Sequence, residues 1–489
     1  MIVKNEIEFI EKYQKDASNY KGNAEILYIP ENSNELKDSL RECFDKKMPV
    51  TIYGGGTGLG GGAVADYGAL ISTEKLNKIL KIDQENYKVT VEPGVLLKNL
   101  QEELEQINFF YPPNPTENNS FIGGNIATNA SGSRTFKYGA TRNYVDNLKL
   151  YLIDGDLINL SRNSNFSDTK IVTENGKIFK LPDVSYQMPE VKHSAGYYYK
   201  NGMNPIDLFI GSEGTLAAFS EITLKFIKKP EKELGLIIFF DDEIQLFKFV
   251  EIIRNESKKY NKLEYFEVSD ISARLIEFYD RQSLNLLSQK YSQIPQNAIA
   301  AIWVEQEYTE KYEDIIIEKW FDTINKYTNL PEDTWTAMNE KEHKNFRDFR
   351  HSLPLAVNEI LSTNNMRKFG SDVAVLPQYT YQFYNYIKDQ IKISGLQNAS
   401  WGHIGNSHFH SNVMAKNGDD LTKAHNFFDN VITKAISLNG TISGEHGIGK
   451  LKRKYLLQMY GERGIEDMRK IKLCFDKYNL LGRGNMFEI

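Results

Sequence analysis

Pro49-Val50-Thr51-Ile52-Tyr53-Gly54-Gly55-Gly56-Thr57-Gly58-Leu59-Gly60-Gly61-Gly62 is a short apolar run that empties into glycine. The β-branched residues at 50–52 predict a strand. Beyond them side chains nearly vanish, so backbone amides can turn toward an anion without interference from Cβ. A pyrophosphate suits such a cradle. Gly56-Thr57-Gly58-Leu59-Gly60-Gly61 also spells a Rossmann turn. The context rejects that spelling, because a helix has to open at the last glycine and residues 63–70 carry no helical periodicity. Nor does a Lys-Ser or Lys-Thr close the loop as a Walker motif requires. A flexible linker is a poor account of a loop fed by a strand of buried type.

Outward from the loop, residues 88–91 read as another strand and 96–104 as a helix. Tyr111-Pro112-Pro113-Asn114-Pro115 is too proline-dense for a helix or a central strand. It leads into residues 122–134, whose small side chains let a flat ring system approach closely. Gly211-Ser212-Glu213-Gly214-Thr215-Leu216 is a third loop of this kind. Lys228-Lys229-Pro230 then breaks the pattern. Residues 231–440 are poor in glycine and predict strands at 234–240, 263–268 and 298–304, with helices at 243–260 and 310–327. That alternation points to an antiparallel sheet covered by helices. No internal repeat is evident.

At 489 residues the chain exceeds a single core, so two or three domains are expected. A formal charge of −6 argues against nucleic acid as a partner. Cys43 and Cys474 make no disulfide framework, which fits a reducing compartment. The first sixteen residues read as an amphipathic helix rather than a signal peptide, and the apolar run at 234–240 is far too short to cross a bilayer. The expected location is cytoplasmic, with docking at the inner face of the membrane as the alternative.

Four of the eight histidines fall in two short segments, Gly402-His403-Ile404-Gly405-Asn406-Ser407-His408-Phe409-His410 and Gly444-Glu445-His446-Gly447-Ile448-Gly449-Lys450. His403, His408 and His410 surround a Gly-Asn turn, where imidazoles from both sides of a bend converge, and Glu445 adds a carboxylate. Imidazole with carboxylate suits zinc or manganese, leaving positions for water or substrate. A lone histidine reads as a satisfied core residue. Three within eight positions, answered by a Gly-Glu-His-Gly loop, read as a catalytic metal site.

The spacing of these motifs resembles the FAD-binding oxidoreductases of the vanillyl-alcohol oxidase and p-cresol methylhydroxylase superfamily. More narrowly, residues 25–487 are similar to the flavin- and metal-dependent D-2-hydroxyacid dehydrogenases. The resemblance implies an α+β fold with a two-subdomain FAD domain over 1–228. A cap over 229–440 carries the substrate site, and 441–489 return to the FAD domain with the catalytic loop. Gly54, Gly55, Gly56, Thr57, Gly58 and Leu59 would hold the FAD pyrophosphate. Asn114, Pro115, Thr116, Ser120, Gly123, Gly124, Thr128, Asn129, Ala130, Ser131 and Gly132 would line the flavin and its ribityl chain. Glu213, Gly214, Thr215 and Leu216 would pack against the dinucleotide, and Asn485 would take the C-terminal flavin-side contact. Thr57 stands where covalently tethered relatives often have a histidine, so the FAD is expected to be non-covalent.

By the same resemblance, His403, His410 and Glu445 are the metal ligands and His446 is the catalytic base. His408 stands where the family has asparagine, as either a substitute ligand or a supporting group. Arg350 would hold the substrate carboxylate, with Lys368 as its basic partner; the bland reading of Arg350 is a surface salt bridge. The metal is zinc first, then manganese or iron. The implied reaction removes a proton and a hydride from a small 2-hydroxy acid, D-lactate-like, with electrons passing to a quinone, cytochrome or electron-transfer flavoprotein and with a homodimer as the candidate assembly. The alternative is a non-redox enzyme similar to alkyl-dihydroxyacetone-phosphate synthase, fed by the basic run Lys450-Leu451-Lys452-Arg453-Lys454. Glu445 favours the redox reading, because the synthase group has histidine there.

Overall fold

The glycine loop leaves one parallel strand and returns on the next. In the computed structural model, which describes residues 1–163, 170–261 and 264–489, Val50–Tyr53 and Ile26–Ile29 both pair in parallel with Ala69–Ser72. Ile2–Lys4 completes this four-stranded sheet antiparallel to Ile26–Ile29. The N-terminal amphipathic helix predicted from sequence is therefore corrected. Its β-branched start pairs as an edge strand, and only the single turn Ile7–Ile10 is α-helical. Helix Ser33–Asp45 begins where the Asn32 side chain accepts from the Glu35 amide at 3.1 Å. It buries Leu36, Ser39, Leu40 and Cys43, one face at helical spacing. No helix follows the glycine loop, so the rejection of the Rossmann spelling stands.

A second, five-stranded antiparallel sheet runs in the order Ile79–Asp83, Lys88–Val91, Ala218–Lys225, Val145–Tyr151, Leu157–Ser161. The chain end returns to the first sheet. Val50 donates to the Leu480 carbonyl and Gly482 to that of Val50, each at 2.8 Å. Below this junction Lys472 is buried, and its Nζ bonds the Asp476 carboxylate (2.6 Å) and the carbonyls of Thr215 (2.6 Å) and Leu481 (2.7 Å). Lys472→Met should therefore cost about 3–5 kcal/mol by stranding a buried carboxylate. A denaturation midpoint close to wild type would show that the junction holds without it.

The third sheet has eight strands, all antiparallel. Its path is Trp335–Ala337, Lys232–Phe240, Ala300–Tyr308, Ala273–Asp280, Gln397–Gly402, His408–Ala415, Arg367–Gly370, with Val373–Ala374 also on His408–Ala415. Both faces are covered. Ile237 and Phe239 join Phe346, Phe349 and Leu353 of helix Glu340–Asn364, whereas Leu236, Ile238 and Phe240 join residues of helices Glu243–Tyr260 and Glu313–Tyr327. This two-sided burial is why 234–240 reads as an unbroken apolar run. The strand predicted at 263–268 is corrected to Ala273–Asp280, since Tyr265–Glu267 is a 3-10 turn and residues 262 and 263 lie outside the description. Among the described residues no helix is long and apolar enough to cross a membrane.

Candidate active site

Strands Gln397–Gly402 and His408–Ala415 form a hairpin whose bend sets the imidazoles. The 3-10 turn Ile404–Asn406 ends at Ser407, which takes a left-handed φ of 53° and bonds the Thr380 hydroxyl at 2.7 Å. Glycine is the usual occupant of such a backbone position, and here a pinned serine holds it. His403 and His408 thus flank the bend, and His410 lies two residues further along the same strand face. The loop carrying Glu445 and His446 closes over them.

Ligand atoms of His403, His408, His410 and Glu445 all lie within 4.8 Å of one another. Glu445 Oε1 is 3.1 Å from His410 Nε2 and 3.4 Å from His403 Nε2. On its far side, Lys192 Nζ donates to Oε2 at 2.7 Å. His403 Nδ1 is 2.5 Å from Glu277 Oε1, and Arg350 Nε donates to Glu277 Oε2 at 3.3 Å. One buried carboxylate therefore orients the imidazole, turns its Nε2 toward Glu445 and steadies the guanidinium. His408 Nε2 is 2.9 Å from Asp372 Oδ1, while its Nδ1 is buried without a partner. Asp372 also accepts from the Ser443 hydroxyl, the His446 amide and Lys452 Nζ at 2.7–3.0 Å.

The charges follow from these contacts. Burial would raise the Glu445 carboxyl, but Lys192 and His403 outweigh it and hold the group well below the usual carboxylate range. Asp372 is likewise held low by His446 and Lys452 against the effect of burial. Burial pushes His446 down to about 4, against Asp372 and Glu445, so this imidazole is neutral at neutral pH. His408 is lowered by burial and by the nearby Lys192 and His410.

Two cavities border this region, one lined by His446 and the other by His403. The first is an open cleft of about 940 Å³ lined by Gly54, Gly55, Gly56, Thr57, Gly58, Ser120, Gly123, Gly124, Thr128, Glu213, Gly214 and His446. A Cβ on Gly58 or Gly124 would meet nothing within 4 Å, so a side chain there would project into open space. Such a cradle fits a flavin dinucleotide. Other predicted contacts sit around the cleft rather than in it. Leu59 is exposed and Leu216 is buried in the core. Thr215 bonds Tyr197 at 2.6 Å, the Asn129 side chain accepts from the Arg142 amide, and the Ala130 carbonyl accepts from Thr141. Gly132 packs against the Asn114 carbonyl, where a Cβ would come within 2.1 Å. Asn485 braces the loop from behind, donating to Gly62 O at 2.8 Å. Glu213, its carboxyl pushed up by burial to about 7, accepts from Ile448 and Gly449 and ties the catalytic loop to the cradle.

The second cavity, of about 1420 Å³, holds Asn114, Pro115, Thr116, Glu277, Arg350 and His403. Ser131, read from sequence as a flavin contact, donates to Glu445 at 3.4 Å. Lys368 is exposed on an edge strand and lines neither cavity. Sequence reasoning missed Lys192, Glu277, Asp372 and Lys452. Asp372 stood only four residues from Lys368. Two nitrogen-rich groupings with carboxylate, and the unpartnered Nδ1 of His408, fit a first-row divalent cation, although Lys192 already neutralises one Glu445 oxygen.

A family model for an FAD binding domain matches residues 24–161, and one for the C-terminal domain of FAD linked oxidases matches residues 267–486. Glycolate oxidase subunit GlcD of Bacillus subtilis (strain 168) is 30% identical over 482 residues, covering 97% of this chain and 92% of the relative. D-lactate dehydrogenase of Anaerostipes hadrus is 30% identical over 492 residues, covering 95% and 90%. Among solved structures, an alkyldihydroxyacetonephosphate synthase shares the fold with a TM-score of 0.66 at 14% identity, covering 98% of this chain and 81% of that one.

Proposed function

Because the chain belongs to the FAD-linked oxidases of the vanillyl-alcohol oxidase and p-cresol methylhydroxylase family, we propose that it oxidises a D-2-hydroxy acid to the 2-oxo acid. The observation that carries this reading is that His446 lines a dinucleotide-sized glycine cleft and His403 a polar cavity holding Arg350, while His410 and Glu445 group with both imidazoles. Relatives named for D-lactate and glycolate support a small hydroxy acid as substrate. We assign 1–228 with 441–489 to the FAD domain and 229–440 to the cap. The location is cytoplasmic, and the electron acceptor is a quinone, cytochrome or electron-transfer flavoprotein.

When bound, non-covalent FAD supplies the hydride acceptor, and a divalent ion held by His403, His410 and Glu445, zinc in the first instance, makes the substrate hydroxyl more acidic. Arg350, steadied by Glu277, fixes the substrate carboxylate through its remaining N–H groups. His446 takes the hydroxyl proton. Its Nδ1 lies 3.4 Å from Asp372, whose negative charge favours a proton on that nitrogen and leaves Nε2 to accept one. Asp372, fixed in turn by Lys452 and Ser443, then stabilises the imidazolium. The non-redox alternative is disfavoured by Glu445, an acceptor-only group among imidazoles; the synthase likeness, at 14% identity, concerns the fold alone.

The purified protein should be yellow, release its FAD on denaturation and reduce an artificial dye with a D-2-hydroxy acid but not with NADH. Flavin that stays with denatured protein would overturn the non-covalent assignment. Protein that cannot be loaded with FAD, or that turns over no 2-hydroxy acid, would overturn the function.

A further inference from the structure

Arg254 stands where the helix pattern calls for an apolar side chain. It lies on the buried face of helix Glu243–Tyr260, with Leu246, Val250 and Ser257 at helical spacing. Burial pulls its guanidinium down to about 10, against the field of Glu251 on the same helix, so the group is still charged at neutral pH. Among the described residues no carboxylate bonds it. Its Nη2 donates to the Ile404 carbonyl at 2.7 Å, and its Nη1 to the Thr380 hydroxyl at 3.2 Å and the Pro377 carbonyl at 3.4 Å. Its Nε has no partner. A desolvated cation held by neutral oxygens is a costly way to stabilise a fold.

Nor do its acceptors depend on it. The Ile404 carbonyl also accepts from the Ser407 amide at 2.9 Å, and the Pro377 carbonyl from the Thr380 hydroxyl at 2.6 Å. What the contacts share is the hairpin bend. Ile404 follows His403 directly, and its carbonyl closes the turn Ile404–Asn406. Ser407 precedes His408 and keeps its left-handed backbone with its hydroxyl on Thr380 at 2.7 Å. Arg254 therefore grips both the closing carbonyl and the side chain that pins Ser407. Resting on the metal-assisted reading above, we propose that Arg254 is a positioning residue, fixing the bend that keeps His403 aligned with His410 and Glu445 for a divalent cation. Glu277 sets the rotation of the His403 ring, and Arg254 sets the backbone from which that ring springs.

The test measures the zinc affinity of FAD-loaded protein by competition with a chromophoric chelator. Arg254→Met should weaken zinc binding by about 10–100-fold, the range for residues that orient metal ligands from outside. FAD content and denaturation midpoint should stay close to wild type, because each carbonyl keeps its other partner. Arg254→Lys, which keeps a cationic donor, should bind zinc more tightly than Arg254→Met. A merely structural arginine gives the opposite split, a lowered midpoint with normal zinc affinity in whatever folds, and that result would overturn the proposal. So would zinc loss that comes only together with loss of FAD and a lowered midpoint. If Arg254→Met does not fold, Arg254→Gln, polar but uncharged, is judged by the same readouts. Wild-type protein that binds no zinc would remove the metal assignment and this role with it, whereas wild type and variants of equal zinc affinity would remove only the role of Arg254.

Discussion

His446→Asn enzyme should retain FAD and metal and yet have its flavin reduced by substrate about 10²-fold or more slowly, the scale of a lost general base. The expectation rests on three features of one side chain. His446 lines the glycine cleft, so it faces the flavin side. Its Nδ1 lies 3.4 Å from Asp372, and its Nε2 is 3.6 Å from Glu445. Asparagine can keep one polar contact to Asp372 but cannot accept the proton. If His446 only held the Gly447-Ile448-Gly449 turn, the variant would be unstable, and whatever folded would turn over almost normally. Stopped-flow reduction of protein with quantified flavin and metal separates the two, and a rate within a few-fold of wild type would remove His446 as base.

Chelation, or Glu445→Gln, should abolish turnover while leaving FAD in place, because the three imidazoles stand on a hairpin separate from the glycine cradle and only the loop at 445–449 serves both. The substitution removes the central carboxylate between His403 and His410 and leaves Lys192 as an uncompensated buried cation. His403→Ala and His410→Ala should each lose metal sharply. His408→Ala separates a ligand from a supporting group: metal loss assigns the unpartnered Nδ1 to the ion, and full retention leaves His408 as the partner of Asp372. Unchanged metal in all of these variants, measured by elemental analysis, would remove the site.

What could be read in the chain follows the range of the interaction. The glycine loop and the apolar run at 234–240 were legible because strand burial and the lack of Cβ are local properties. The imidazole cluster was legible because one hairpin supplies three of its members. Lys192 was not, since it meets Glu445 across 253 residues through the docking of separate segments. Glu277 was hidden for a related reason: it lies on a fully buried strand that sequence placed too early, at 263–268. By resemblance Lys368 is the basic partner of Arg350, but its strand is at the sheet edge and leaves it exposed. Asp372, just beyond that strand, is the residue the fold turns inward.

The most direct measurement is anaerobic mixing of metal-replete holoenzyme with D- and L-2-hydroxy acids while flavin absorbance is followed. The predicted result is full bleaching by a D acid and none by its L enantiomer, with one 2-oxo acid formed per flavin and the response lost on chelation. Flavin that stays oxidised with every D acid, in protein carrying full FAD and metal, would contradict it.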